Sequence, residues 1–139
     1  SLAALLGQEL KHHPQNVPGA TVVALTGELG AGKTIFIQGL ARGLGLSRHL
    51  TSPTFLIVRR FRLRTRRFAN FYHIDLYRIR KLRELSAIEV PTILANPKNV
   101  VAIEWAEKVW RFLPKGTLLV SLHHRKHEHH RSITVRLKR

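Results

Sequence analysis

The sequence predicts a single α/β domain spanning residues 1–139, with a core of parallel strands and antiparallel hairpins added to it. Short apolar runs rich in β-branched residues alternate with segments whose apolar residues recur at helical spacing. A glycine-rich turn joins one of these strands directly to a helix. Two pairs of β-rich runs follow each other closely enough to form hairpins, and 139 residues with 44% hydrophobic content suffice for one core.

The first half of the chain is predicted to form a helix, a strand and a second helix. Residues 2–11 carry leucines at helical spacing, and Pro14 and Pro18 end that helix. Residues 21–26 form a short β-branched run, which is typical of a buried strand. Residues 34–44 are predicted to form the second helix. The apolar faces that these patterns predict for packing comprise Leu2, Leu5, Leu6 and Leu10 in the first helix and Ile35, Ile37, Leu40, Ala41 and Leu44 in the second. The aromatic residues Trp110 and Phe112 are expected in the core rather than stacked on a ligand.

The second half of the chain is predicted to be richer in strands. Residues 54–63 and 68–77 are two β-rich runs separated by a basic stretch, which predicts an antiparallel hairpin. Residues 82–95 are predicted to be helical with a break or bend at Pro91, because the proline ring removes a backbone donor. Three further strands are predicted, the last two forming a hairpin, and they cover residues 100–103, 117–123 and 132–137.

The charge of the chain is strongly positive and unevenly distributed. There are 24 Lys and Arg residues against 8 Asp and Glu residues, which gives a formal net charge of +16. Residues 1–56 hold 4 basic and 2 acidic residues, so +14 of that charge lies in residues 57–139. Such an excess indicates anionic partners, which are nucleotides, RNA, DNA or an acidic membrane.

Other classes of protein are excluded by composition. The chain has no cysteine, which excludes disulfides, thiolate metal sites and cysteine nucleophiles. No apolar run reaches the roughly 18 residues of a membrane span, and no signal-peptide pattern is present at the N-terminus. The sequence therefore predicts a soluble, cytoplasmic protein with no membrane partner.

The strongest functional signal is segment 27–34, GELGAGKT, which matches the motif G-x-x-x-x-G-K-[ST] in full. Its glycines let backbone N–H groups turn toward phosphate oxygens, and the following helix presents further unpaired N–H groups. Lys33 can reach the β- and γ-phosphates, and the Thr34 hydroxyl can bind Mg²⁺. The motif therefore predicts a P-loop, which binds a nucleoside triphosphate with Mg²⁺. The residues expected around the phosphates are Glu28, Leu29, Gly30, Ala31, Gly32, Lys33, Thr34 and Ile35.

Two carboxylates at predicted strand ends can complete such a magnesium site. Mg²⁺ prefers six oxygen ligands, and one hydroxyl with two phosphate oxygens leaves positions to fill. Glu104 ends the apolar run 100–103, and Asp75 ends the second strand of the first hairpin. His73 alternates with Asp75 on that strand, so it lies near the site or packs as a structural histidine. Each acid could instead neutralise nearby arginines, although only eight acids are available in the chain.

At this point the sequence resembles a known family. The segments LTGELGAGKT (25–34), TSPTF (51–55), HIDLYR (73–78) and IEWAEK (103–108), in this order, resemble the TsaE family of bacterial P-loop ATPases. That family is required for threonylcarbamoyladenosine in tRNA. The resemblance covers nearly the whole chain and implies a P-loop NTPase three-layer sandwich with a mixed central sheet, which binds ATP with Mg²⁺ and hydrolyses it slowly. It also implies partners of the TsaB and TsaD type, whose complex such proteins reset between turnovers.

The resemblance also implies roles for particular residues. Thr34 and Glu104 would hold Mg²⁺, and Asp75 would organise the metal or the attacking water. Together with Lys33, the two acids would form the catalytic set. Trp105 would lie beside the nucleotide. The segment that would contact and sense the γ-phosphate comprises Ser52, Pro53 and Thr54.

The sequence departs from the family pattern in its charge. Residues 80–83 are basic where the family is usually acidic, and Glu89 stands where a glycine is usual. The hairpin connection is far more basic than usual, so direct contact with tRNA phosphates is one interpretation; a solvated strand edge that blocks edge-to-edge pairing is the other. The arginines concerned are Arg59, Arg60, Arg62, Arg64, Arg66 and Arg67.

Two alternative functions remain open from the sequence. The first is a basic RNA-binding protein whose P-loop only grips a phosphate, although such a grip needs no paired carboxylates. The second is a small-molecule kinase, for which no lid or acceptor-binding insertion is recognisable. A GTPase is disfavoured because segment 96–99, NPKN, lacks the acid and the spacing of a guanine-binding motif.

Overall fold

A computed structural model of the chain describes residues 1–12, 18–27, 32–46, 57–124 and 131–139. None of the helices in these ranges has the length and apolar character needed to cross a membrane. The helices are α1 (Leu2–His12), α2 (Lys33–Gly43), α3 (Glu84–Ala87) and α4 (Val90–Ala95). The strands are β1 (Thr21–Gly27), β2 (Val58–Arg62), β3 (Asn70–Asp75), β4 (Asn99–Glu104), β5 (Leu118–His124) and β6 (Arg131–Leu137). Short 3₁₀ helices span Ala106–Lys108 and Trp110–Phe112.

The described strands form one mixed sheet in the order β2-β3-β4-β1-β5-β6. The four inner strands run parallel, since β1 pairs in parallel with β4 and β5, and β3 pairs in parallel with β4. The two outer strands, β2 and β6, pair antiparallel with β3 and β5. The predicted parallel core with antiparallel hairpins is therefore confirmed.

The register of the inner strands places their carboxyl ends at one edge of the sheet. Glu104 at the end of β4 pairs with Leu25 of β1 on one side and with Asp75 of β3 on the other. Gly27, the last residue of β1, leads from the same edge into the P-loop. The two acids and Gly27, the first residue of the motif, therefore lie at one end of the sheet.

Helices cover both faces of this sheet, which confirms the three-layer α/β sandwich. Val23 and Leu25 of β1 point to the face where α1 and α2 pack, and they join the core cluster on that face. Val22 and Ala24, which alternate with them, join the second core cluster with residues of α3, α4 and the first 3₁₀ helix. Continuous apolar runs in the inner strands follow from this burial on both faces.

The predicted helix over residues 82–95 is broken two residues before the predicted position. α3 ends at Ala87, and Glu89 adopts a left-handed conformation with φ of 60° before α4 begins. Pro91 lies within the first turn of α4, where the missing proline N–H costs no helical hydrogen bond. The break therefore lies at Glu89 and not at Pro91.

Several residues predicted to lie in the core are exposed. Leu2 and Leu5 are 55% and 58% exposed, because α1 buries the face that carries Ala3, Gly7 and Leu10 instead. Ile35 in the first turn of α2 is 61% exposed. Phe112 is also 61% exposed, since the second 3₁₀ helix buries none of its own residues, whereas Trp110 packs partly against the second core cluster.

Candidate functional site

The P-loop is held at both ends by glycines with positive φ. Gly27 has φ of 144°, and a Cβ added there would collide with the carbonyl oxygen of Leu122 on β5. Gly32 has φ of 95° and directly precedes α2. Because only glycine adopts such backbone angles without strain, these two motif positions follow from the local geometry. The motif residues Glu28, Leu29, Gly30 and Ala31 lie outside the described residues, as do Ser52, Pro53 and Thr54.

The first turn of α2 presents backbone donors at the end of β1. Lys33 and Thr34 are its first two residues, and the first helical hydrogen bond runs from the Phe36 N–H to the Gly32 carbonyl oxygen at 2.9 Å. The N–H groups of residues 33–35 therefore have no acceptor within the helix. Such groups, with the positive end of the helix dipole, form an environment suited to a phosphate.

The Lys33 side chain is buried, with only 7% of the residue exposed. Its Nζ atom donates to the Gly27 carbonyl oxygen at 2.9 Å and lies 4.4 Å from the centre of the Trp105 ring. The ammonium group is therefore held between the end of β1 and the residue that follows β4. These contacts link the P-loop lysine to the strand end that carries Glu104.

Glu104 is a buried carboxylate that contacts a buried histidine. The Oε2 atom lies 2.7 Å from Nε2 of His73, and the two side chains are 7% and 3% exposed. Because a carboxylate oxygen accepts, the ring nitrogen donates in this hydrogen bond. His73 therefore fixes the orientation of Glu104, in the way that partners of metal-binding carboxylates usually do.

Asp75 lies beside Glu104 at the end of β3. The two residues are register partners in parallel strands, so their side chains point to the same face of the sheet, the one covered by α2. Asp75 is half-buried, and its Oδ1 atom accepts the N–H of Tyr77 at 3.0 Å. The structure thus brings both predicted acids to the edge and the face where α2 begins.

Aromatic and basic side chains surround Trp105. This residue has φ of 60° and is half-buried, and its ring lies 5.2 Å from that of Tyr77. Lys108 places its Nζ atom 5.9 Å from the same ring. That atom also donates to three carbonyl oxygens, those of Leu76 at 2.9 Å, Tyr77 at 2.7 Å and Ile79 at 3.0 Å.

The sequence did not predict that Lys108 acts as a clamp, that is, that its side chain holds the backbone of residues 76–79 by hydrogen bonds. Its three hydrogen bonds join the segment after β3 to the 3₁₀ helix after β4, and they span 29 to 32 residues of sequence. The available signal was the IEWAEK segment itself, in which Lys108 is the last residue. Neither composition nor periodicity predicts that a lysine side chain donates to distant backbone carbonyl oxygens.

The described side chains offer no ready-made metal centre, since no three His, Asp or Glu residues of the described ranges converge on one point. Mg²⁺ commonly binds proteins through one or two side chains together with substrate phosphates. The carboxylates of Asp75 and Glu104 and the hydroxyl of Thr34 are hard oxygen ligands of that kind. The donor set therefore fits a magnesium ion that arrives with a polyphosphate.

The fold and this edge define an α/β protein of the P-loop NTPase class. The sequence model of the family described as "Threonylcarbamoyl adenosine biosynthesis protein TsaE" matches residues 2–133. The chain is 39% identical over 104 residues to the "tRNA threonylcarbamoyladenosine biosynthesis protein TsaE" of Borreliella burgdorferi, covering 73% of this chain and 72% of that protein. The protein of the same name from Treponema pallidum is 39% identical over 102 residues, with the same coverage.

A solved structure agrees with these relatives. The crystal structure of YdiB from Bacillus subtilis superposes with a TM-score of 0.64 at 27% identity, covering 96% of this chain and 77% of that one. Since the family model matches nearly the whole sequence, the chain belongs to the TsaE family. The resemblance inferred from the four motifs is confirmed.

Proposed function

We propose that this protein is a Mg²⁺-dependent ATPase that acts in the threonylcarbamoyladenosine modification of tRNA. The observation that carries the proposal is that Asp75 and Glu104 lie at the edge of the sheet where β1 ends at Gly27, on the face that α2 covers. The names of the relatives support the pathway. A P-loop that only bound a phosphate group would need no carboxylates nearby. Two adjacent carboxylates suit a phosphate that is bound together with Mg²⁺.

The P-loop would bind the triphosphate through main-chain donors. The N–H groups of residues 28–35 would surround the β- and γ-phosphates, and the helix dipole of α2 would favour their charge. The Lys33 ammonium would exchange its bond to the Gly27 carbonyl oxygen for a phosphate oxygen, while staying beside Trp105. A charged acceptor gives a stronger hydrogen bond than a neutral carbonyl, so this exchange is favourable.

The side chains around the phosphates would have different roles in hydrolysis. Thr34 and Glu104 would hold Mg²⁺, which neutralises charge that builds up on the phosphates during transfer. Asp75 would bind the metal or orient the attacking water, because it lies next to Glu104 and is only half-buried. Lys33 would stabilise the charge on the γ-phosphate oxygens in the transition state.

Trp105 and the segment 52–54 would shape the nucleotide site. Trp105 would lie beside the nucleotide, held between Tyr77 and Lys108. Thr54, in the segment 52–54, would contact and sense the γ-phosphate. A loop that responds to that phosphate would give the protein different surfaces before and after hydrolysis.

We further propose that these surfaces act on partners of the TsaB and TsaD type. ATP binding and hydrolysis would reset the complex of the two partners between turnovers, so the protein would transfer no threonylcarbamoyl group itself. Slow hydrolysis in isolation is expected if partners complete the site. Addition of such a pair should then raise the ATPase rate.

The decisive experiment measures Mg²⁺-dependent ATP binding and hydrolysis with the Lys33→Ala variant, with and without a TsaB–TsaD pair. We expect turnover to fall at least 100-fold, because a charged donor on the transferred phosphoryl group is lost. Lys115→Ala is the matched control, since that lysine is exposed in the turn before β5. Hydrolysis by Lys33→Ala at the wild-type rate would refute the proposed site.

A further inference from the structure

The connection between β2 and β3 lies at the opposite end of the sheet from the candidate nucleotide site. β3 begins at Asn70, directly after this connection, and pairs there with Asn99, the first residue of β4. Asp75 lies five residues further along β3, which places it about 17 Å away at the usual rise per residue. A ligand on the connection would therefore leave the nucleotide site accessible.

The connection displays arginines on an apolar base. Phe61, Leu63 and Phe68 are buried in the core cluster beside α1 and α2. The arginines between and around them are exposed to solvent, and they are Arg60, Arg62, Arg64, Arg66 and Arg67. The segments that build this end of the sheet, residues 57–74 and 90–103, contain no acidic residue. Positive charge here is therefore not neutralised by neighbouring carboxylates of these segments.

The backbone under these arginines is held by hydrogen bonds. Thr65 closes the turn, since its Oγ1 atom accepts the Phe68 N–H at 2.8 Å and donates to the Phe68 carbonyl oxygen at 3.1 Å. The Leu63 N–H donates to the Ala69 carbonyl oxygen at 2.8 Å. The Ala69 N–H in turn donates to the carbonyl oxygen of Lys98 at 2.8 Å, which ties the connection to the loop before β4. These hydrogen bonds thus hold the backbone that carries the arginines in a defined conformation.

A recess lies between the turn and that loop. Arg66, Arg67, Pro97 and Lys98 line an open depression of about 390 Å³. Three cationic side chains around one recess suit a phosphate group, which guanidinium and ammonium donors bind through charge-assisted hydrogen bonds. We call the surface formed by Arg64, Arg66, Arg67 and Lys98 the basic edge.

We propose that the basic edge binds the phosphate backbone of RNA, with tRNA as the natural occupant. The choice of RNA rather than DNA rests on the proposed function, which places the protein in a tRNA modification pathway. No large apolar side chain is exposed in residues 57–74 and 96–98, whereas several are exposed elsewhere in the described part of the chain. A bilayer or a protein partner normally requires apolar or aromatic anchors, whereas a phosphate backbone requires only regularly spaced cations.

The test measures binding of the full chain to a labelled tRNA transcript between 50 and 200 mM salt without ATP. Four phosphate contacts predict a loss of roughly 50- to 150-fold in affinity over that range. The variant Arg64→Gln/Arg66→Gln/Arg67→Gln should bind at least tenfold more weakly at the lower salt concentration, with a shallower salt dependence. Lys98→Gln should weaken binding by a smaller factor.

A second triple variant serves as the matched control. Arg80→Gln/Lys81→Gln/Arg83→Gln removes three exposed basic residues as well, so both triple variants carry a formal net charge of 16 − 3 = +13. We expect the control to bind tRNA within twofold of the wild type. Equal losses in the two variants, or no loss in either, would overturn the basic edge as an RNA site.

Two further arms separate this inference from the proposed function and from other occupants. Lys33→Ala should bind tRNA as the wild type does, and the basic-edge triple variant should bind Mg²⁺-ATP with unchanged affinity. If ATP binding is absent but the variants behave as expected with tRNA, only the proposed ATPase is wrong. If anionic vesicles or polyglutamate depend on the same arginines as strongly as tRNA does, the assignment to RNA is wrong.

Discussion

Removal of the His73 imidazole tests how the buried carboxylate of Glu104 is held. The His73→Ala variant leaves Oε2 of Glu104 without its partner at 2.7 Å, inside a site where both side chains are less than 10% exposed. An unsatisfied buried polar group costs about 1–3 kcal/mol, and more when it is charged. The truncation also removes buried ring atoms on the face of the sheet that α1 and α2 cover. We therefore expect the free energy of unfolding to fall by about 3 kcal/mol.

A double-mutant cycle separates the hydrogen bond from the loss of packing. Urea unfolding is measured for His73→Ala, Glu104→Ala and the double variant, and the coupling energy is the difference that the single changes leave unexplained. A coupling of about 1–3 kcal/mol is expected for contacting residues in a buried network. Additive effects of the two changes would show that the short contact contributes nothing to stability, and would refute this account of Glu104.

The same variants report on the site itself. If His73 orients Glu104 toward the metal, His73→Ala should weaken Mg²⁺-dependent ATP binding by about 10- to 100-fold, as loss of an outer-shell partner usually does. His73→Gln retains a donor and should recover part of that loss. Phe71→Leu is a suitable control, because Phe71 is fully buried on the same face of β3 but points to no polar group in the proposed site. If Phe71→Leu weakens Mg²⁺-dependent ATP binding as much as His73→Ala does, the effect comes from disturbed packing of β3 and not from the lost hydrogen bond to Glu104.

Three further predictions concern the backbone around the site. Gly27→Ala should destabilise the protein by about 2 kcal/mol or more in urea unfolding, because the methyl group collides with the Leu122 carbonyl oxygen. Glu89→Gly should raise the midpoint of thermal unfolding, corresponding to about 0.5–1 kcal/mol, because φ of 60° suits glycine; Glu84→Gly within α3 should lower it. Lys108→Met should reduce hydrogen-exchange protection near residues 76–79, with a loss of about 1 kcal/mol, because three carbonyl oxygens lose one donor. Unchanged exchange there would contradict the clamp.

The parts of the fold that were predicted correctly are those with local causes. The strand over residues 21–26 and the helix over residues 34–44 were recognisable because their apolar patterns act within a few residues. The meeting of Asp75 and Glu104 also had a simple cause, since carboxyl ends of parallel strands share one edge of a sheet. The second prediction needed only the strand ends and the direction of the strands, not the register between them.

The parts that were missed depend on which elements become neighbours. His73 and Glu104 are 31 residues apart, and their contact follows from the register of β3 on β4, which no local pattern encodes. The exposure of Leu5 likewise follows from the choice of helix face, because α1 packs on α2 through Ala3 and Gly7. The break between α3 and α4 lies at Glu89, a residue type that does not signal a left-handed conformation, so the proline two residues later was the stronger signal.

The charge of the chain decides which measurements can identify the nucleotide site. A protein with a formal net charge of +16 attracts any polyphosphate, so ATP affinity alone does not distinguish a built site from general attraction. General attraction weakens with salt and becomes smaller when Mg²⁺ neutralises the phosphates. Binding through Asp75 and Glu104 behaves in the opposite way, because two carboxylates repel free ATP and favour its magnesium complex. At 150 mM salt, an ATP affinity that rises with Mg²⁺ in the wild type but not in Glu104→Gln therefore identifies the site. An ATP affinity that falls when Mg²⁺ is added would instead show that ATP binds through the general positive charge of the protein.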